Sequence, residues 1–153
     1  RPKMSFGSPI SLGTEAYNEI MDFETDAEIS NEEVVKRLNE SPVLGFKVHK
    51  VEEVPRKSSI MEEFTNMLYT VEGSQEDMDK LEKLFNRNEI LEVREKKGKT
   101  VTRNLKERLK TFSREGNKIS MEIINTSPNS YLEMVGIEQQ NVQIKRLGYK
   151  INN

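Results

Sequence analysis

MLYTVEGSQEDMDKLEKLFNRNEILEVRE, residues 67–95, decides the fold because it predicts a strand, a helix and a second strand in succession. The strands are Met67–Glu72 and Ile90–Glu95. Between them, Ser74 is a helix cap for Gln75–Asn86. The apolar side chains of that helix recur three and four residues apart, which places them on one buried face: Met78, Leu81, Leu84 and Phe85.

The following residues extend this order to a complete split β-α-β pattern. Residues 96–112 form a basic insertion that begins with a turn signal, and a strand with a helical turn is one interpretation of its form. Lys118–Asn125 alternates in polarity and predicts a strand, Ser130–Val135 predicts a helix, and Val142–Ile151 predicts the last strand. In ferredoxin-like domains this order gives an antiparallel four-stranded sheet with two helices on one face.

The preceding residues predict strand, strand, helix and strand. Lys3–Leu12 is extended, and Tyr17–Glu24 alternates between apolar and acidic residues. Ser30 begins a helix with a capping box, because a glutamate follows it three residues later. Phe46–Val54 then predicts a strand, with apolar side chains on one side and basic ones on the other.

A polar break at Pro55–Ser59 divides the chain into two predicted units. Residues 1–55 give only the last four elements of a ferredoxin-like unit, so we interpret them as a truncated one. Residues 56–153 give a complete unit. Within it, a short helical segment at Ile60–Thr65 comes before the first strand. The fold class is therefore α+β, with ferredoxin-like units in tandem and helices on one face of antiparallel sheets. The two regions share no convincing repeat, so the tandem rests on element order alone.

Composition indicates a folded chain and excludes several kinds of site. Of 153 residues, 34% are apolar and 33% are charged, which is polar for a globular domain, yet periodic segments recur throughout. The sequence has no cysteine, which excludes disulfides, thiolate zinc sites, iron–sulfur ligation and cysteine nucleophiles within it. The lack of cysteine fits a cytoplasmic protein best. No apolar run approaches the roughly 20 residues that span a bilayer, so we expect no contact with the membrane.

Charge is divided unevenly along the chain and predicts an anion-binding stretch. Residues 1–89 hold 11 Lys and Arg against 19 Asp and Glu, a net charge of −8, whereas residues 90–153 hold 13 against 7, a net charge of +6. The second part has the sign that attracts phosphate. The candidate RNA or ligand contacts within it are Arg94, Lys96, Lys97, Lys99, Arg103 and Arg108. The alternative is a solvated hairpin whose lysines prevent edge-to-edge strand pairing.

The first seven residues, RPKMSFG, predict a strand that another element must cover. Met4 and Phe6 share one face, which would stay in water without an upstream segment or a partner, so we expect one of these. Arg1 and Lys3 are further candidate ligand contacts, because their side chains can hold a phosphate or a carboxylate. The alternative is an irregular edge strand in which Gly7 marks a β-bulge.

The chemical groups of the sequence favour a protein without a catalytic centre. His49 is the only histidine and lies between Lys47 and Lys50 on the polar side of a predicted strand, so we expect it to be exposed. Gly98–Thr100 lacks the earlier glycine of a P-loop. Four acidic residues are more typical of a solvent face than of a magnesium or calcium site: Asp22, Glu24, Asp26 and Glu28. We predict no catalytic residue, no cofactor and no metal ligand.

Three segments resemble a bacterial family of unknown function that is linked to radical-SAM enzymes. They are RPKMSFGSPISLG at residues 1–13, EIMDFE at residues 19–24 and VEEVP at residues 51–55, and the first is the most specific. The likeness is strong over residues 1–55 and extends over the rest in element order. In that family a strand and a long helix precede the first segment, so the resemblance implies that this chain comes from a longer protein.

The resemblance implies an accessory role. Members of that family occur beside, or fused to, a radical-SAM enzyme, so a radical-SAM protein is the expected partner. No catalytic residues are established for the family, and none is carried over to this chain.

Three functions remain open from the sequence. One is an accessory domain that binds structured RNA, chiefly through phosphate, because the strands show no aromatic pair of the kind on which RRM domains stack bases. The second is a protein-interaction domain that docks through apolar strand edges and has no affinity for nucleic acid. The third is an uncharacterised enzyme with a site of carboxylates and a lysine at Asp22, Glu24 and Lys3.

Overall fold

The computed structural model describes residues 3–55 and 58–150, which form a mixed α+β fold. In chain order its strands and helices are β1 (Met4–Phe6), β2 (Thr14–Ala16), β3 (Met21–Phe23), α1 (Asn31–Asn39), α2 (Ile60–Glu63), β4 (Asn66–Glu72), α3 (Gln75–Phe85), β5 (Leu91–Lys96), β6 (Lys99–Asn104), β7 (Leu109–Glu115), β8 (Lys118–Ile124), α4 (Pro128–Met134) and β9 (Gln143–Lys150). Single turns of 3-10 helix lie at Leu105–Arg108 and Gln139–Asn141.

Five strands form the central sheet in the order β2-β9-β4-β8-β7. β4 lies in the middle and pairs antiparallel with β8 and β9, and β8 pairs antiparallel with β7. β2 pairs with β9 in parallel, which differs from the purely antiparallel arrangement that the sequence predicts. Side chains after β2 hold it there: Asn18 donates to the carbonyl oxygen of Leu147 at 3.0 Å, and Glu19 binds Arg146.

One face of the central sheet carries the core. Both α3 and α4 cover this face, since the ring of Phe85 on α3 meets that of Tyr131 on α4 at a centroid distance of 5.1 Å. The same ring meets Phe112 on β7 at 5.3 Å. Other buried apolar side chains of the sheet and the two helices are Met67, Tyr69, Val71, Met78, Leu81, Leu84, Ile119, Met121, Ile123, Leu132 and Ile144.

The serine caps of the sequence mark where two helices begin. Ser74 Oγ accepts a hydrogen bond from the backbone N–H of Asp77 at 3.1 Å, at the start of α3. Ser30 Oγ accepts from the backbone N–H of Glu33 at 3.2 Å, at the start of α1. The carboxylate of Glu33 binds Arg37 rather than reaching back to complete the capping box. Both predicted helices are confirmed.

The strand predicted at Phe46–Val54 is wrong, because this segment lies in neither a helix nor a strand. The amide side chain of Asn39 makes the hydrogen bonds that a neighbouring strand would otherwise make. Its Nδ2 donates to the carbonyl oxygen of Val48 at 2.8 Å, and its Oδ1 accepts from the backbone N–H of Val48 at 2.7 Å. Backbone groups at the middle of the predicted strand are therefore satisfied without a sheet.

The strand predicted at Ile90–Glu95 forms as β5, but it does not join the central sheet. It pairs with β6 in a separate hairpin, across a turn at Lys97–Gly98 where both residues have positive φ. Leu105 is fully buried just after the hairpin and redirects the chain toward the sheet. β7, which begins inside the predicted insertion, takes the sheet edge beside β8.

β1 and β3 form a two-stranded antiparallel sheet of their own, where the sequence predicts two longer strands. Their register has no shift, and the N–H of Gly7 continues the ladder, so the bulge proposed at Gly7 is not formed. The last strand is confirmed through Lys150, and Ile151 lies outside the described residues. The division of the chain into two units near Pro55 stays a prediction.

Candidate functional site

The sheet of β1 and β3 presents an apolar face to solvent. Partners in an antiparallel pair point to the same side of a sheet. The four apolar residues of these strands therefore share one face, here called the β1–β3 face: Met4, Phe6, Met21 and Phe23. Phe6 is 60% exposed and Met4 is 51% exposed. Because a lone two-stranded sheet is marginally stable in water, such a face normally packs against another element.

Residues 3–63 leave most of their large apolar side chains in solvent. Of the described apolar residues in this range, only Val34 and Ile60 are buried. Leu12 and Leu44 are fully or almost fully exposed. Eleven of the fifteen exposed large apolar side chains in the described part of the chain lie here: Met4, Phe6, Ile10, Leu12, Tyr17, Phe23, Val43, Leu44, Phe46, Val54 and Met61. Exposed apolar side chains mark an interaction site where they adjoin one another, as those of the β1–β3 face do.

A buried arginine on β9 fastens the amino-terminal segment to the central sheet. Arg146 is completely buried and donates to both carboxylate oxygens of Glu19, at 2.7 and 2.5 Å. It also donates to the carbonyl oxygens of Ser8 and Pro9, at 2.8 and 3.3 Å. The ring of Tyr149 lies 5.3 Å from its Cζ. These contacts of Arg146, here called the arginine anchor, hold the residues before and after β2 against one side chain.

Arg146 and the two tyrosines beside it, Tyr69 and Tyr149, keep their protons at neutral pH because the pKa of each is raised. Burial alone would lower the pKa of Arg146, but hydrogen bonds to Glu19 and Tyr69 raise it above its ordinary value. Burial, together with the charge of Glu19, raises the pKa of Tyr149 to about 12. Burial also raises the pKa of Tyr69. The arginine and the two tyrosines therefore act as fixed hydrogen-bond donors, which suits an anchor better than proton transfer.

Gly7 lies against this anchor. A Cβ at this position would come within 2.5 Å of the hydroxyl oxygen of Tyr149, which is closer than side chains approach one another. A larger residue at this position would force the end of the Tyr149 side chain to shift away from the amino-terminal segment.

A second polar cluster docks the β5–β6 hairpin on α4. Glu92 is 7% exposed and accepts hydrogen bonds from Arg94, at 2.7 Å, and from Arg103. Both guanidinium groups also donate to Ser130 Oγ on α4, at 3.3 and 3.4 Å. Burial raises the pKa of Glu92, but the hydrogen bonds and charges of the two arginines outweigh it and hold that pKa below its ordinary value. The cluster fixes the base of the hairpin.

The tip of the hairpin carries three exposed lysines, Lys96, Lys97 and Lys99, here called the lysine tip. Their ammonium groups form no ion pair with residues 3–55 or 58–150. Lys96 and Lys99 face each other across the ladder, and like charges at such a position repel. An anion placed between them would relieve that repulsion.

An open groove of about 800 Å³ separates the Leu12–Gly13 turn from the segment that follows α4. Gln139 spans it, because its Nε2 donates to the carbonyl oxygen of Leu12 and its Oε1 accepts from Asn129 Nδ2 at 3.2 Å. The hydrogen bonds of Gln139 thus form a further link between the amino-terminal segment and the rest of the fold.

Residues 1–144 match a family described as an uncharacterized protein conserved in bacteria (DUF2344). The chain belongs to the DUF2344 family. No curated protein and no solved structure matches it. The DUF2344 match spans the β1–β3 face, Glu19 and the β5–β6 hairpin. Arg146 and Tyr149 lie after its last matched residue. The link to a radical-SAM enzyme stays a prediction.

Five of the eight predicted ligand contacts of this DUF2344 chain lie in one hairpin. Arg94 and Arg103 are both bound to Glu92 at its base, so one carboxylate compensates part of their positive charge and the two guanidinium groups are engaged within the fold. The other three form the lysine tip and remain available to a ligand. Within the hairpin, the candidates for ligand binding are therefore the three lysines of the tip.

Of the three remaining predicted contacts, the two that the structure describes lie outside the hairpin. Lys3 pairs with Glu24 at 3.4 Å beside the β1–β3 sheet. Arg108 donates to the carbonyl oxygen of Asn125 at 3.2 Å and so supports the turn after β8. Arg1 lies outside the described residues. The seven predicted contacts that the structure describes thus do not converge on one site.

The sequence analysis missed Arg146 and Glu19. A signal was present, because the alternation of β9 places Arg146 on the same side as Ile144, where an apolar residue is expected. A charged residue at such a position requires a buried partner. Its partner, 127 positions earlier, gives no sign of the pairing in the sequence.

Of the groups considered for catalysis, Lys3 and Glu24 form an ion pair at 3.4 Å beside the β1–β3 sheet. His49 is exposed, as predicted. Asp22 accepts a hydrogen bond from the backbone N–H of Ser5 at 3.2 Å. Within residues 3–55 and 58–150, no three His, Cys, Asp or Glu side chains lie together as a metal site. No helix in these same ranges is both long and apolar enough to cross a membrane.

Proposed function

We propose that this chain is a non-catalytic accessory domain that docks on a protein partner through the β1–β3 face. The observation that carries the proposal is the exposure of this face, together with the exposed apolar side chains of residues 3–63. Surfaces of this type are normally covered by a partner. The resemblance found in the sequence makes a radical-SAM enzyme the expected partner, and the absence of cysteine agrees with a cytoplasmic setting.

The arginine anchor supports this role. It holds the segment between β1 and β3 against β9, so the β1–β3 face has a fixed attachment to the central sheet. A docked partner would therefore be held in a defined place relative to the core rather than on a loose strand. Defined placement is what an accessory domain must provide to an enzyme.

Co-purification tests the proposed docking. The tagged chain is coexpressed with the radical-SAM protein of the same bacterium, and the captured enzyme is quantified. We expect capture by the native chain, loss of capture with Phe6→Ser, and unchanged capture with Val93→Ser. Phe6 and Val93 are 60% and 64% exposed, so the second variant is a matched control. Equal capture by all three chains, or capture by none, would contradict the proposal.

RNA binding by the β5–β6 hairpin is a second candidate function, which the lysine tip favours. Three ammonium groups that form no ion pair within the described part of the chain stand at the end of a hairpin whose base is fixed by Glu92. The outward residues of the central strands β4 and β8 include no aromatic side chain, so base stacking is not expected there. Binding would depend on phosphate, and its logarithm would fall with the logarithm of salt concentration.

Salt dependence tests this second function. A labelled stem-loop RNA is titrated with the chain at several salt concentrations. Replacing all three lysines of the tip with glutamine should make the slope less steep by about 2, since each lost phosphate contact removes roughly 0.7 from it. The matched control replaces three exposed lysines elsewhere with glutamine: Lys36, Lys47 and Lys83. Equal effects of the two triple variants would contradict a role for the tip.

The element order further leads us to propose a ferredoxin-like unit in residues 66–150. Its members are β4, α3, β7, β8, α4 and β9, which follow the order β-α-β-β-α-β with the β5–β6 hairpin inserted after α3. Both helices on one sheet face support this proposal. The tandem arrangement, with residues 1–55 as a truncated first unit, remains part of the proposal.

A further inference from the structure

We infer that the β1–β3 face is the seat of a basic amphipathic helix of the partner protein, an inference that rests on the docking proposed above. Four apolar side chains of a two-stranded sheet share this face, and the most exposed of them is Phe6. A sheet of two strands needs an element packed on its apolar face to be stable in water. A strand added at an edge would leave the face itself in water, whereas a helix would cover it.

The dimensions of the face fit one helix. Met4 and Phe6 are two residues apart on β1, which is about 7 Å, and the neighbouring strand lies about 5 Å away. A helix with its side chains is about 10 Å across. One helix laid along the two strands would therefore cover all four side chains.

The composition of the face suits a helix of varied sequence. Two of its four residues, Met4 and Met21, are methionines, and α2, which contacts β1, adds the exposed Met61. Methionine side chains are flexible and adapt to differently shaped apolar surfaces. The face therefore selects for an apolar stripe rather than for one particular side chain.

Exposed carboxylates follow β3 along the chain and lie on α2, which contacts β1, so we expect them to favour a basic helix. Asp26 and Glu28 follow β3 closely and are exposed, and α2 carries the exposed Glu62 and Glu63. None of these four carboxylates forms an ion pair with the described residues. A helix with Lys or Arg along its flanks would carry the charge opposite to these carboxylates. The attraction would orient the helix on the face, and the carboxylates would repel an anionic partner.

A synthetic peptide tests the inference on the intact chain. The probe is a labelled peptide of about 18 residues, five turns of helix, with leucines along one face and lysines on its flanks. Its binding is followed by fluorescence anisotropy at about 50 mM salt, where charge pairs are weakly screened. We expect saturable binding that is weakened about tenfold by Phe6→Ser and unchanged by Val93→Ser.

Two control peptides separate the apolar and the charged contributions. A scrambled peptide of the same composition lacks the apolar stripe and should not bind, and a peptide with glutamate in place of lysine should bind about tenfold more weakly. Phe23→Ser serves as a second variant, and circular dichroism verifies that each variant is folded. Equal binding of the scrambled peptide, or full binding by both folded serine variants, would overturn the inference. So would a dimer of the chain that Phe6→Ser dissociates, because a second copy would then occupy the face.

The failure of this inference is distinguishable from the failure of the proposed function. If the peptide does not bind but the radical-SAM protein is captured in a manner that depends on Phe6, docking stands and the helix is wrong. If the peptide binds but the enzyme is not captured, the face accepts a helix and the radical-SAM partner is wrong.

Discussion

Arg146 and Glu19 differ in their exposure to solvent, and this difference determines how much the fold is destabilised when each is removed. The side chain of Arg146 is wholly buried, whereas that of Glu19 is 32% exposed. If the arginine is removed, water can hydrate the carboxylate that remains. If the glutamate is removed, a buried guanidinium keeps carbonyl, hydroxyl, thioether and aromatic contacts, but no opposite charge. An unpaired buried charge is the costlier of the two outcomes.

We therefore predict that Glu19→Leu destabilises the fold more than Arg146→Leu. The first change should lower the free energy of unfolding by about 3 kcal/mol, and the second by less, because it leaves no buried charge. The double variant should resemble Arg146→Leu alone, since the two residues act as one unit. Urea unfolding measures all three. Glu24→Gln, at an exposed ion pair, is the control and should have no measurable effect.

The contacts of a single residue can be predicted from the sequence when its partner is only a few positions away along the chain. Ser74 and Ser30 cap helices because their hydroxyls reach backbone groups three residues ahead, a distance that the sequence itself sets. Glu92 and Arg103 meet only because a hairpin forms between them, so the basic stretch gave no sign that two of its arginines are already paired. The sequence accordingly predicted that this stretch is basic, but it did not predict which of its basic side chains are already bound to Glu92.

The β5–β6 hairpin is held at its base by a charge cluster and is free at its tip. Its pairing with α4 depends on Glu92, which lies between two guanidinium groups and beside Ser130. Because the pKa of Glu92 is below its ordinary value of 4.5, the unfolded chain binds a proton more readily than the folded one. The stability that this carboxylate contributes is complete above about pH 4.5 and is lost as pH falls through its folded pKa.

We therefore predict that Glu92→Gln destabilises the chain at pH 7 but has a smaller effect near pH 3. The difference in unfolding free energy between native chain and variant isolates this group, because the other carboxylates titrate in both proteins. Denaturant unfolding at the two pH values measures it, and Asp26→Gln on an exposed loop is the control. A difference that stayed constant from pH 7 to pH 3 would show that the ionised form of Glu92 does not hold the hairpin.

Elements could be predicted from the sequence where their apolar period is long, as in α3 and β8. The strand predicted at Phe46–Val54 has the correct alternation, yet Asn39 takes the hydrogen bonds of Val48 and no second strand lies beside it. β5 has a correct strand pattern but pairs only with β6. A pattern of alternation identifies an extended segment, and the identity of its neighbour depends on the packing of the whole chain.

Stability is spread unevenly over the whole molecule. The core is built from the central sheet with α3 and α4, whereas α1 buries only Val34. Regions with few buried apolar contacts open locally at lower free energy than the core. The segment from β2 to β3 is intermediate, since the exposed β1–β3 face contributes little burial but Arg146 fastens the segment to β9.

Amide hydrogen exchange should therefore separate three levels of protection. We predict that β4 and β8 exchange most slowly, through global unfolding, and that α1 exchanges at least about a hundredfold faster, through local opening. Arg146→Leu should accelerate exchange in residues 14–23 more than in α1, because it releases only the segment that the arginine holds. Mass spectrometry of peptic fragments resolves these regions. If the variant accelerated exchange equally in α1 and in residues 14–23, the anchor would be a general stabiliser and would not specifically position the β1–β3 face. The docking proposal would then lose the rigid attachment on which defined placement of a partner depends.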